Sequence, residues 1–137
     1  LRHGMILDSR ARIQEDAVRR TRVGYTGGTT NNPTYNAVCR GSTGHSEALR
    51  IVFDPSVISF EDLLKAFFSM HAYQYKSKPQ YMSAIFVQGD AQRTAAENFV
   101  AKLEQRGDVA TRILPAAQWY DAEEYHQCYH EKNRAMW

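Results

Sequence analysis

Two neighbouring stretches decide the fold class: HSEALRIVF at residues 45–53 and SFEDLLKAFFSMH at residues 59–71. In the first, Leu49, Ile51 and Phe53 form one row and Ala48, Arg50 and Val52 the other, the period of two expected of a strand with one buried face. In the second, Phe60, Leu63, Leu64, Phe67, Phe68 and His71 recur at steps of three and four, and Ser59 followed by Asp62 makes a capping-box start. Strand and helix within one short segment predict an α+β chain.

Working outward, Ser83–Val87 reads as a short strand and Asp90–Arg106 as an amphipathic helix with Ala91, Ala95, Phe99, Val100 and Leu103 inward, stopped by Gly107. Val109–Leu114 reads as a strand ended by Pro115, and Asp121-Ala122-Glu123-Glu124 as the cap of a last helix carrying Tyr125, His126 and Tyr129. Upstream, Arg10–Arg22 reads as an arginine-rich helix with a thin stripe of Ala11, Ile13 and Ala17, leading into a strand near Thr21–Tyr25. Gly24–Gly28 and Asn31–Tyr35 belong to a turn-rich loop, in which glycine permits positive φ and proline stops pairing. The predicted order, (α)ββαβαβα, is a two-layer α+β sandwich with helices packed on a mixed or antiparallel sheet.

At 137 residues the chain is expected to form a single domain over 1–137. Lys plus Arg number 17 against 15 Asp plus Glu, a net charge of +2, so no nucleic-acid surface is expected. No run approaches the roughly 18 apolar residues of a membrane span. The chain starts at Leu1 rather than Met, which reads as a processed or partial piece of a longer polypeptide, and the compartment is not legible. Two cysteines, Cys39 and Cys128, are too few for a disulfide scaffold.

Glu47 is the first candidate for chemistry. It shares the parity of Leu49, Ile51 and Phe53, so the register aims its carboxylate toward the buried face, where desolvation favours the neutral acid. The plainer alternative is a strand-end glutamate paired with an arginine or turned to solvent. Tyr35 and Tyr81, at loop–strand junctions, offer phenols to a polar ligand oxygen, or serve as packing. His126 and His130 stand four apart on the last predicted helix, but without a third ligand at a telling spacing no metal is expected. Cys39 falls in a glycine-rich loop beside Arg40, a positive neighbour that favours a thiolate.

The run Gly24-Tyr25-Thr26-Gly27-Gly28, then Asn32-Pro33-Thr34-Tyr35 and Thr43-Gly44-His45-Ser46-Glu47-Ala48, closely resembles the A-type peptide methionine sulfoxide reductases. The likeness continues through Phe53-Asp54-Pro55, Ile58–Glu61, Gln80-Tyr81, Ser83–Ile85 and Ala122–Gln127. It implies a ferredoxin-like core with a mixed sheet and packed helices. It also implies reduction of the S epimer of methionine sulfoxide by a cysteine thiolate, with Glu47 as acid, Tyr35 and Tyr81 binding the sulfoxide oxygen, and His126 in the substrate site. No cofactor is expected, and a thioredoxin-like reductant is the implied partner of an active member.

The resemblance also exposes departures. Where the family carries its nucleophilic cysteine and two aromatics, this chain reads Gly4-Met5-Ile6-Leu7, and a thioether supplies no thiolate. The segment 72–80 is shorter than the family's and holds no acid. These losses lead to the expectation of a catalytically silent domain, with Glu47, Tyr35 and Tyr81 vestigial, serving as a structural or binding subunit among protein partners in a larger assembly. The alternatives are an active reductase using Cys39 as a displaced nucleophile, or a binder of methionine sulfoxide that does not reduce it.

Overall fold

The computed structural model describes residues 18–76 and 82–127. Strand β1 (Val18–Thr26) is the centre of a three-stranded antiparallel sheet ordered β2-β1-β5, with β2 at Ser46–Phe53 and β5 at Trp119–Asp121. Along β2 the pairing runs from Thr26↔Ser46 to Val18↔Phe53, with an irregularity between Val18 and Arg20. On its other edge β1 pairs with β5 only from Gly24↔Asp121 to Thr26↔Trp119. A second sheet is the parallel pair β3 (Ala84–Val87) and β4 (Arg112–Pro115), joined through helix α3 (Asp90–Glu104). The expected α+β class stands.

Helix α2 (Phe60–Ser69) begins as expected, with the Ser59 side chain accepting from the Asp62 N–H and the Asp62 side chain accepting from the Ser59 N–H. It ends earlier than the apolar spacing predicts, leaving His71 beyond the Met70 cap. There His71 Nδ1 lies 2.8 Å from the Phe67 carbonyl and Nε2 2.7 Å from Ser83 Oγ, which in turn lies 2.7 Å from Thr111 Oγ1. This chain of bonds ties the end of α2 to the residues that lead into β3 and β4. Leu64, Phe67 and Phe68 of α2 pack with Ile85 and Val87 of β3 and with Ala96 and Val100 of α3. Ala91, assigned inward by sequence, is exposed and Ala96 is buried instead, while Phe99, assigned inward, stacks on Phe68 at 5.3 Å.

Three further expectations need correction. Residues 18–22 belong to β1 rather than to an arginine-rich helix, because the backbone groups of this segment pair with β2; residues 10–17 lie outside the described residues. The turn-rich loop contains helix α1 (Tyr35–Cys39), opened by Thr34, whose hydroxyl accepts from the Ala37 N–H. Cys39 is therefore a helix residue rather than part of a glycine-rich loop. Finally, Asp121 closes β5, and the chain then makes a 3-10 turn at Glu124–His126 instead of a capped helix.

The reason for that last departure is Gln127. Its Oε1 accepts from the Val23 N–H at 2.9 Å, while Nε2 donates to the Val23 and Ala122 carbonyls. Beyond the short β5, the side-chain amide thus serves the edge of β1 as a strand would, and it draws the turn at Glu124–His126 against Val23. Gly24 is required on the same strand, since a Cβ there would enter the Trp119 ring and the Tyr120 carbonyl.

Replacing Gln127 with Ala should leave buried backbone groups unpaired and cost about 1–3 kcal/mol in urea denaturation. Gly24→Ala should cost a similar amount, about 1–3 kcal/mol, by overpacking against Trp119.

Candidate functional site

The register of β1 with its two neighbours assembles the site. Tyr25 stands directly opposite Glu47 on β2 and Tyr120 on β5, and cross-strand partners project to the same face. Against the inner part of that face pack Val38 of α1 and Ala122, forming a second core with Tyr25 at its centre and Val23 and Tyr35 at its edge. Glu47 is 5% exposed, as its parity predicts, although the strict alternation fails here: His45, Ser46, Glu47 and Ala48 are all buried because the start of β2 is covered on both faces.

His45 is buried for a structural purpose. Its Nδ1 accepts from the Gly28 N–H at 3.0 Å, which leaves the proton on Nε2 to be donated to the Thr30 carbonyl at 2.8 Å. A Cβ on Gly28 would collide with the His45 and Thr43 backbone, so only glycine allows this close approach of the loop to β2.

Glu47 carries the chemical interest. Its Oε1 is buried and has no hydrogen-bond partner among the described residues. Burial pushes its carboxyl above the usual carboxylate range; the nearby Glu123 adds to the shift and His126 opposes it. A neutral carboxyl that holds a proton at higher pH, with an oxygen left unpaired, suits the donation of a proton to a ligand oxygen.

Around it stand groups from distant parts of the chain. Tyr25 Oη donates to Glu123 Oε2 at 3.0 Å, and burial together with that carboxylate raises the phenol far above its ordinary range, so the hydroxyl remains a donor. The Tyr35 backbone N–H donates to Glu123 Oε1 at 3.1 Å. His126, 7% exposed, sets its Nε2 3.3 Å from Glu123 Oε2 but out of line for a hydrogen bond, and its ring lies between those of Tyr35 and Tyr125 at 4.7 and 4.2 Å. Cys39, half-buried, is one turn along α1 from Tyr35. Desolvation, the Glu123 carboxylate and Cys39 all raise the Tyr125 phenol, which puts the thiol within electrostatic reach of that ring.

Of the residues that sequence singles out, Glu47, Tyr35 and His126 are thus brought to one cluster. Tyr81, Met5, Cys128 and His130 lie outside the described residues. His126 sits in a 3-10 turn rather than in the expected helix. Sequence reasoning missed Tyr25 and Glu123, which meet across 98 positions of chain. Their only signal was membership in the GYTGG and AEEYHQ runs.

A family model described as peptide methionine sulfoxide reductase matches residues 10–136. The chain belongs to the peptide methionine sulfoxide reductase family. It is similar to the peptide methionine sulfoxide reductase MsrA of Methanothermobacter thermautotrophicus, 45% identical over 128 residues that cover 86% of this chain and 76% of the relative. Among solved structures it is similar to reduced Mxr1 from Saccharomyces cerevisiae, with a TM-score of 0.81 and 29% identity over 98% of this chain and 83% of that one. A second structure, of Mxr1 in complex with Trx2, gives a TM-score of 0.55 at 25% identity over 82% of this chain and 68% of that one.

These relatives overturn the expectation of a catalytically silent structural subunit. Proteins nearly half identical to this reductase-family chain are named as enzymes, and an active reductase is the better supported reading. The expectation rested on Met5, Ile6 and Leu7, which lie outside the described residues, and on the acid-free segment 72–80, and it gave too little weight to the groups assembled around Glu47.

The raised acidity constant of Glu47 has a measurable consequence. A carboxyl that holds its proton more tightly when folded adds stability that is fully present at low pH and is lost as pH rises through the raised value. Glu47→Gln should therefore gain stability relative to the unsubstituted protein as pH rises from mildly acidic to mildly alkaline. Urea midpoints measured across that series should diverge in favour of the variant, and parallel curves would contradict the assignment.

Proposed function

We propose that this chain, taken as one domain over 1–137, reduces the S epimer of methionine sulfoxide in peptides. The observation that carries the reading is the buried, unpaired Oε1 of Glu47 beside Tyr25, Glu123 and His126 in a chain of this family. Glu47 presents a neutral carboxyl to the sulfoxide oxygen, and the phenols of Tyr35 and Tyr81 bind the same oxygen. Proton donation makes the sulfoxide sulfur more electrophilic as a thiolate attacks it.

Cys39 supplies the thiol in this reading, supported by its place one helical turn from Tyr35 and within electrostatic reach of Tyr125. Its sulfur bonds to the sulfoxide sulfur and then takes over the oxygen. The cysteine is oxidised by two electrons to a sulfenic acid, and the substrate is reduced to the thioether. A second thiol condenses with the sulfenic acid, forming a disulfide and releasing water, and a dithiol protein of the thioredoxin class restores the thiol by exchange. The complex of yeast Mxr1 with Trx2 supports that choice of reductant.

Turnover of a methionine sulfoxide peptide should be measured with dithiothreitol and with thioredoxin. The unsubstituted protein should reduce the S epimer, Glu47→Gln should lower kcat/KM by about 10²–10⁴, and Cys39→Ser should abolish both turnover and the gain of one oxygen seen on Cys39 by intact mass. Full activity in Cys39→Ser would remove Cys39 from the mechanism. Peptide binding without turnover by the unsubstituted protein would refute the reductase reading as a whole.

A further inference from the structure

The Glu123 carboxylate joins three elements that the chain itself keeps apart. One oxygen accepts from the Tyr25 hydroxyl on β1 at 3.0 Å and faces His126 Nε2 at 3.3 Å; the other accepts from the Tyr35 N–H, which opens α1, at 3.1 Å. We propose that Glu123 is a positioning residue of the sulfoxide site, clasping β1, α1 and the Glu124–His126 turn so that the Tyr35 phenol and the Glu47 acid address the same substrate oxygen. The inference rests on the reductase reading and deepens it.

Two physical requirements converge on this side chain. Tyr25 is 0% exposed, and a hydroxyl so buried needs an acceptor, which Glu123 provides. The Tyr35 N–H stands in the first turn of a helix, where no carbonyl of the same helix is available, and Thr34 caps only Ala37. One carboxylate with two oxygens answers both needs and thereby fixes the distance between strand and helix. An amide or a single hydroxyl at 123 could not accept from both while bearing charge.

The charge matters as well as the bonds. Among the described residues the titratable groups that bear on Glu47 are Tyr25 on β1 and Glu123 and His126 on the turn after β5. Two neighbouring carboxyls resist carrying charge together, so an anion held at Glu123 by two donors favours the proton on Glu47, against the opposing pull of His126. Glu123 thus acts on the proton donor without touching substrate.

Glu123→Gln keeps the volume and removes the charge. Its kcat for a methionine sulfoxide peptide should fall about ten- to a hundredfold while KM changes little. The alkaline limb of its kcat/KM profile, set by loss of the Glu47 proton, should move to lower pH. Carbon-13 titration of the Glu47 carboxyl in the substrate-free protein should move the same way. Glu123→Asp, which keeps the charge but shortens the reach, should return the limb and the titration toward their original positions while kcat remains low, and it serves if the glutamine variant does not fold. A Glu47 titration that coincides in all folded variants overturns the proposal. A shifted Glu47 titration in a protein with no turnover supports the clasp and refutes the reductase reading, so the two failures are distinct.

Discussion

Backbone pairing along β1 is the constraint on which the rest of the molecule depends. A central strand must satisfy its N–H and C=O groups on both edges, and β1 does so unequally: β2 serves one edge along the length of the strand, whereas β5 serves only Gly24 to Thr26 of the other. Gln127 makes up the deficit at Val23. Because the register is fixed in this way, Tyr25 falls opposite Glu47, and because Gln127 is anchored, the turn before it is held where His126 and Glu123 meet those two residues. A slip of one residue in β1 would turn Tyr25 to the other face and leave the glutamate without its surroundings.

The electrostatics of the site follow from that packing. Four groups able to carry charge or donate a proton, Glu47, Glu123, Tyr25 and His126, are gathered here, with Glu47, Tyr25 and His126 buried and Glu123 partly exposed. Their differences arise from what each touches. Glu123 accepts from two donors, whereas Glu47, whose Oε1 finds no donor among the described residues, is pushed by burial toward the neutral acid. Residues of the same type are thus distinguished by burial, neighbouring charge and hydrogen bonding together.

Much of the architecture was legible in the chain because its signals are local. The Ser59–Asp62 cap, the α2 spacing and the alternation of β2 each involve residues within a turn or two of one another; the cap is realised, α2 follows its spacing up to Ser69, and β2 forms as a strand although its alternation is lost at residues 45–48. Helix α1 escaped because five residues are too few for a periodic pattern, leaving Thr34 as its only sign. The last predicted helix failed because Asp121-Ala122-Glu123-Glu124 resembles a cap, while the segment is governed by a bond to Val23, 104 positions away. The site divides similarly. Glu47 was visible through parity, yet its burial owes as much to the covering of both faces of β2. Tyr25 and Glu123 carried no local sign of their partnership, and the silent-domain expectation weighed the missing thiol, aromatics and loop acid against Glu47 without the cluster that the fold gathers around it.

Among the described residues, two hydrophobic centres have different occupants. The larger, around Leu64, Phe67, Ile85 and Val100, contains none of the residues assigned to chemistry, while the smaller is built on Tyr25 itself. Durability and reactivity are thereby housed apart. Substitutions confined to the first centre leave the contacts of Tyr25 and Glu47 intact, whereas the second centre has no such freedom. An engineer wanting a hardier variant has the same freedom, and the same boundary.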